Sequence, residues 1–148
     1  MKRHESLIPL THDHHHALGQ ARRLKLSHTE PNDKRVERAR EFLEFFGSET
    51  LTHFREEEEE IFPLAVGEPE AESVLARTMM EHLQIHAAVH RLSDQVAAGN
   101  APGESLTRIG ELLESHIRSE EKTVFPLIER LAPQALDAVE LSPRKRTA

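Results

Sequence analysis

The chain predicts an all-α protein, an antiparallel up-and-down four-helix bundle. Three observations carry this. Apolar residues recur at helical rather than alternating spacing over four long stretches. Gly- and Pro-containing breaks separate the stretches, and no credible strand lies between them. Thirty per cent of the 148 residues are charged, which suits amphipathic helices with one solvated face.

The first ten residues read as an irregular arm ending in Pro9-Leu10, with Thr11 as N-cap and Asp13 in the first turn of a helix that runs to about Leu26. Its stripe is Leu10, Ala17, Leu18, Ala21 and Leu24, with His14 in step. The second helix starts near Asn32 or Asp33 and continues to about Ile61, where Phe62-Pro63 ends or kinks it. Its seam is Val36, Ala39, Leu43, Phe46, Thr50, His53 and Glu57, loosened at Gly47-Ser48. The third runs from about Glu70 to Ala98 and stops at Gly99-Asn100, with a seam of Leu75, Met79, His82, His86, Val89, Ser93 and Val96. The fourth begins near Gly103 and reaches about Phe125 along Leu106, Ile109, Leu113, His116, Glu120, Thr123 and Leu127. The bundle therefore spans 11–131, between an arm of 1–10 and a 132–148 segment holding a short helical piece after Pro133 and the basic tail Arg144-Lys145-Arg146.

Chemistry concentrates in two copies of one motif. HFREEEEEIFP, His53 to Pro63, returns 63 positions later as HIRSEEKTVFP, His116 to Pro126. Each places a histidine four residues before a glutamate, so both side chains leave one helix face. A rise of about 1.5 Å per residue sets His53, His82 and His116 roughly 15–18 Å from the same end of the bundle. Seven side chains then converge on one layer: His14, His53, Glu57, His82, His86, His116 and Glu120. Unpartnered buried polar groups cost about 2–7 kcal/mol each, against a net domain stability of about 5–15 kcal/mol. Shared cations satisfy them. Five imidazoles and two carboxylates exceed a closed four-coordinate zinc site and suit two carboxylate-bridged ions, with iron favoured and manganese or zinc suited to the same donors.

Other polar residues draw plainer readings. Glu56, Glu58 and Glu59 read as a solvated face, and Glu60 as a supplementary ligand candidate. His12 and His16 fall on the polar side of the first helix, His15 is the reserve for His14, and His90 is an outer or surface residue. Glu121 stays a candidate beside Glu120. Phe54, Phe62 and Phe125 read as core aromatics that dry the site.

Composition excludes several classes. A formal charge of −7 argues against nucleic acid. Without cysteine there are no disulfides, thiolate ligands or iron–sulfur clusters. No apolar run approaches the roughly 20 residues that cross a bilayer, and the first residues lack the apolar core of a signal peptide, so the protein reads as cytoplasmic. The absence of tyrosine excludes tyrosyl-radical chemistry, and the lack of a Glu-x-x-His pair on the seam argues against ferritin-like oxidases.

The four motifs, Asp13-His14, His53-xxx-Glu57, His82-xxx-His86 and His116-xxx-Glu120, resemble those of the hemerythrin-like (HHE cation-binding) family over about residues 10–130. The resemblance implies one iron held by His82, His86 and His116 and another by His14 and His53. It further implies bridges from Glu57 and the fourth-helix carboxylate and an oxo or hydroxo group between the ions. Dioxygen, or another small diatomic or peroxide ligand, is the implied partner. The oxygen-carrying members place an aspartate five residues after the last histidine, where this chain has Glu121. Dioxygen binding or sensing, decomposition of peroxide or nitric oxide, and iron sensing or storage are the functions in competition.

Overall fold

The computed structural model describes residues 2–141, which form four long helices and one short one with no strand among them. The basic tail and its arginines lie outside the described residues. Helix α1 is Ile8–Leu26, entered through a single 3₁₀ turn at Glu5–Leu7. Residues 5–10 are thus helical rather than irregular. Pro9 sits in the first turn, where its missing N–H costs nothing. Thr11 caps nothing: its hydroxyl donates to Glu121 at 2.8 Å.

Helix α2 covers 32–61 in four pieces. α-Helical Asn32–Phe45 and Leu51–Glu56 are each followed by a wide π turn, Phe46–Thr50 and Glu57–Ile61. The first turn falls at Gly47-Ser48, where loosening is expected. The second ends at Phe62-Pro63. A proline ring clashes with the carbonyl four residues back, and a π turn before it widens the winding there. The same device recurs in α4, which covers 103–131. α-Helical Gly103–Ser119 passes through a π turn at Glu120–Val124 into Phe125–Leu131, with Pro126 in the first turn of the last piece. The helix therefore continues past Phe125 instead of ending there. Between them α3, Glu72–Ala97, is unbroken. It stops at Gly99, whose φ of +84° permits a Schellman cap with Asn100 N–H on the Gln95 carbonyl. Helix α5 is Pro133–Asp137.

Contacts fix which ends meet. Asn32 at the start of α2 donates to the Gly99 carbonyl and accepts from Ala101 N–H, and Arg35 Nε donates to the Ala101 carbonyl at 2.6 Å. A Cβ on Gly110 would lie 2.9 Å from the Ala21 carbonyl, so α1 and α4 approach backbone to backbone where only glycine fits. At the far end, Leu7 and Leu10, Ile61 and Phe62, Ala71, Val124, Phe125, Ile128 and Leu136 form one apolar cluster. A larger cluster around Leu24, Phe42, Phe46, Ile85, Leu92, Leu106 and Leu113 fills the near end. Between the two, the core is polar: His14, His53, Glu57, His82, His116 and Glu120 are each 5% exposed or less.

Candidate metal centre

All four long helices contribute to this layer, and two of the three π turns begin at its two carboxylates. Glu57 and Glu120 are fully buried. Ligand atoms of His14, His53, Glu57 and Glu120 lie within 4.8 Å of one another, and so do those of Glu57, His82, His116 and Glu120. Two four-residue groups therefore share both carboxylates. His53 Nε2 stands 3.1 Å from Glu57 Oε2, His116 Nε2 3.1 Å from Glu120 Oε2, and His82 Nε2 3.3 Å from Glu57 Oε1. These are ion-pair distances with poor hydrogen-bond direction. The Nε2 atoms of His53, His82 and His116, both oxygens of Glu57 and Oε2 of Glu120 are buried without a hydrogen-bond partner. Lone pairs that converge without meeting fit a cation seated among them, and the donor set of imidazole nitrogen and carboxylate oxygen fits iron, manganese or zinc.

The outer nitrogens are all satisfied, and in a regular way. His53 Nδ1 is 3.0 Å from Asp13, His82 Nδ1 2.6 Å from Glu58, His116 Nδ1 2.8 Å from Glu81, and His14 Nδ1 2.6 Å from Glu121. An ionised carboxylate only accepts, so each Nδ1 carries a hydrogen; the Nε2 atoms of His53, His82 and His116 face inward without a hydrogen-bond partner, while His14 Nε2 is hydrogen-bonded to Glu120 Oε1 at 2.9 Å. Every pair joins neighbouring helices in one sense of rotation. α1 gives Asp13 to α2, α2 gives Glu58 to α3, α3 gives Glu81 to α4, and α4 gives Glu121 back to α1. Each of these carboxylates adjoins, in sequence, an inward residue of its own helix. Glu58 is thus no solvated residue, and neither it nor Glu81 is singled out by sequence reasoning. The available signal is an acid next to each inward residue.

Of the seven expected ligands, six come together, and His86 does not. Buried positions on α3 run Thr78, His82, Ile85, Val89, Leu92, Val96, so the stripe steps three residues from His82, not four. Met79, His86 and Ser93 flank it. The His86 ring meets Phe46 and Phe54 edge-on, at centroid distances of 5.7 and 5.6 Å. Phe54 also stacks on His82 at 3.9 Å, and Phe125 stacks on His14 at 5.5 Å. Glu120 belongs to both groups, while Glu121 is half-buried on the outer side of His14, where Arg3 also reaches it at 3.1 Å. His12, His15, His16, Glu59, Glu60 and His90 are exposed.

Without a cation, protons take its place. Burial pulls the His82 and His116 pKa values down, but the Glu120 and Glu57 carboxylates outweigh it and raise them to about 9 and about 10. His14 and His53 are raised against burial too, by Glu120 and Glu121 and by Glu57 and Asp13 respectively. Burial pushes Glu120 up, yet His116 and the other imidazoles hold it well below the usual carboxylate range. Burial acts likewise on Glu121, which the His14 ring and Thr11 hydroxyl hold down at about 2.

The sign of the pH effect follows. Raised histidines stabilise the metal-free fold fully below about pH 6.5 and cease to do so as pH climbs through about 9 to 10, while Glu120 stabilises it above about pH 4.5. Metal requires neutral imidazole, so metal affinity moves the other way. Melting curves of stripped and metal-loaded protein are expected to diverge steadily from pH 6 to pH 10. Removing an outer acceptor, as in Glu58→Ala, is expected to weaken metal binding by about 10–100-fold in competition with a chromogenic chelator, with Glu58→Gln losing less because an acceptor oxygen remains.

A family model described as the hemerythrin HHE cation binding domain matches residues 7–128. Comparison with curated proteins and with solved structures returns no match.

Proposed function

The chain belongs to the hemerythrin HHE cation-binding family, and from that premise we propose that it is a non-haem two-iron protein that binds or senses dioxygen or a related small oxidant. One observation carries this: two groups of four buried donors share Glu57 and Glu120, and six of their inward atoms find no hydrogen-bond partner. In this reading His14 and His53 would hold one ion and His82 and His116 the other, with Glu57 and Glu120 within reach of both. Helices α1 to α4 run up and down in antiparallel order, as the short connections and the meeting ends support. When bound, iron supplies a redox-active pair with positions that the side chains leave unfilled.

The chain's own residues do the rest. A cavity of about 20 Å³ adjoins His14, His53 and His116 and is lined by Ala17, Phe45, Thr50, Phe54, Leu113 and Ile117. That is room for one water-sized guest, which matches a molecule of one or two heavy atoms. Phe54 and Phe125 keep bulk water off the imidazoles. Asp13, Glu58, Glu81 and Glu121 hold each proton on Nδ1, away from the guest. No helix among the described residues is long and apolar enough to cross a membrane.

Turnover of peroxide or nitric oxide is the second reading, and the position of His86 favours it. With four imidazoles rather than five, each group would offer an ion the same donors, two imidazoles and two shared carboxylates, and would leave room for a small ligand. Protein purified without oxygen, assayed for iron and exposed to air, tests the first reading. Two irons per chain and a visible absorption change support it, and iron-bound protein that stays spectrally silent sinks it. Hydrogen peroxide loss faster than with free iron, abolished by His53→Ala, selects the second.

A further inference from the structure

The four outer carboxylates reach the surface in different surroundings. Glu121 is covered by Arg3 from the N-terminal segment. Asp13 borders the ligand cavity. Glu81 lines a surface depression of about 350 Å³ between α3 and α4, whose walls carry Arg77, Arg118 and Lys122. A second depression, of about 640 Å³ and also lined from α3 and α4, carries Arg91 and Arg108. Five cations and two carboxylates, Glu81 and Glu104, line these two hollows in a chain whose net charge is −7.

These cations are little used within the fold. Among the described residues Arg77 reaches the Ser119 hydroxyl, at 3.5 Å, and Arg118 stands 3.8 Å from Glu114. Exposed charges contribute little to stability, but a local surplus of one sign steers an oppositely charged surface into register. Beneath them, one hydrogen bond of 2.8 Å joins Glu81 to His116, whose Nε2 faces the centre. The basic hollow and one of the four direct polar links to the buried layer coincide.

We propose that the α3–α4 face around Arg77, Arg118 and Lys122 is the docking surface for an acidic one-electron carrier protein, with Glu81 and His116 as the link to the centre. The proposal rests on the two-iron reading for its redox step. Each docked carrier is oxidised by one electron. With iron bound, each encounter would pass one electron to the site, so two encounters would take two ferric ions to two ferrous ones while no bond in the chain is made or broken. The face fits a protein better than a small anion, because the cations are spread over two hollows and a carboxylate lies among them.

The probe is a reduced plant-type [2Fe–2S] ferredoxin, an acidic carrier, mixed with the iron-loaded protein. Calorimetry is expected to give salt-sensitive binding that Arg77→Glu with Lys122→Glu weakens by more than about tenfold, while Arg22→Glu with Arg40→Glu, on another face, changes it less than about twofold. In stopped flow the first pair slows reduction by ferredoxin to the same degree and leaves reduction by a small viologen radical unchanged. Glu81→Gln, which removes a carboxylate from the same hollow, docks at least as tightly as the parent but is reduced more slowly. Iron-loaded protein whose ferredoxin binding is absent, or ignores these charges, overturns the docking surface. Iron-free protein overturns the two-iron reading instead, and the electron step with it.

Discussion

Glu120→Ala is expected to abolish both metal positions at once. Glu120 is a member of both four-donor groups, as is Glu57, whereas each histidine belongs to one. At metal concentrations that saturate the parent protein, Glu120→Ala and Glu57→Ala should each bring bound metal to near zero. His53→Ala should leave about one ion per chain, held by Glu57, His82, His116 and Glu120. Elemental analysis after desalting reads the difference directly, and circular dichroism verifies that each variant remains helical. If His53→Ala and Glu120→Ala lose metal equally, the two positions are not separable and the shared-carboxylate description is wrong.

Stripping the metal should cost a large part of the stability. A ligand present at about 1,000 times its Kd stabilises the native state by about 4 kcal/mol per site, so two sites contribute about 8 kcal/mol. For a chain of this size each kcal/mol moves Tm by about 2–4 °C, which places the stripped protein roughly 15–30 °C below the loaded one. Protons on the four imidazoles compensate in part, because His82 and His116 remain charged up to about pH 9 and 10. The gap should accordingly be smallest near pH 6 and widen above it. A melting curve indifferent to chelator at pH 8 would remove the premise that a cation sits among these donors.

Most of the fold was legible because its signals are local. Helix starts at Asn32 and Gly103, the stop at Gly99 and the short piece after Pro133 all follow from backbone rules that one or two residues carry. The polar layer was legible because six donors fall where a bundle should be apolar. What escaped depends on winding. Counting by threes and fours assigns Thr123 and Leu127 to the interior, but the π turn at Glu120–Val124 contributes one extra residue and moves the stripe to Val124 and Ile128. The same uncertainty of phase hides the choice between Ile85 and His86 after His82. Glu58 was hidden in a run of five glutamates, and only the neighbouring helix distinguishes it from Glu59. The outer acids could not be assigned from spacing, since each serves a histidine on a different helix.

Division of the donors between the two halves has a consequence for how such a protein can arise. The α1–α2 hairpin holds His14, His53 and Glu57, and the α3–α4 hairpin holds His82, His116 and Glu120. Each hairpin owns the imidazoles of one four-donor group and lends a carboxylate to the other. A short gene encoding a single hairpin could therefore assemble both groups as a homodimer about a twofold axis. The present chain carries the same content in tandem, which leaves either half free to diverge while its counterpart keeps its donors in place.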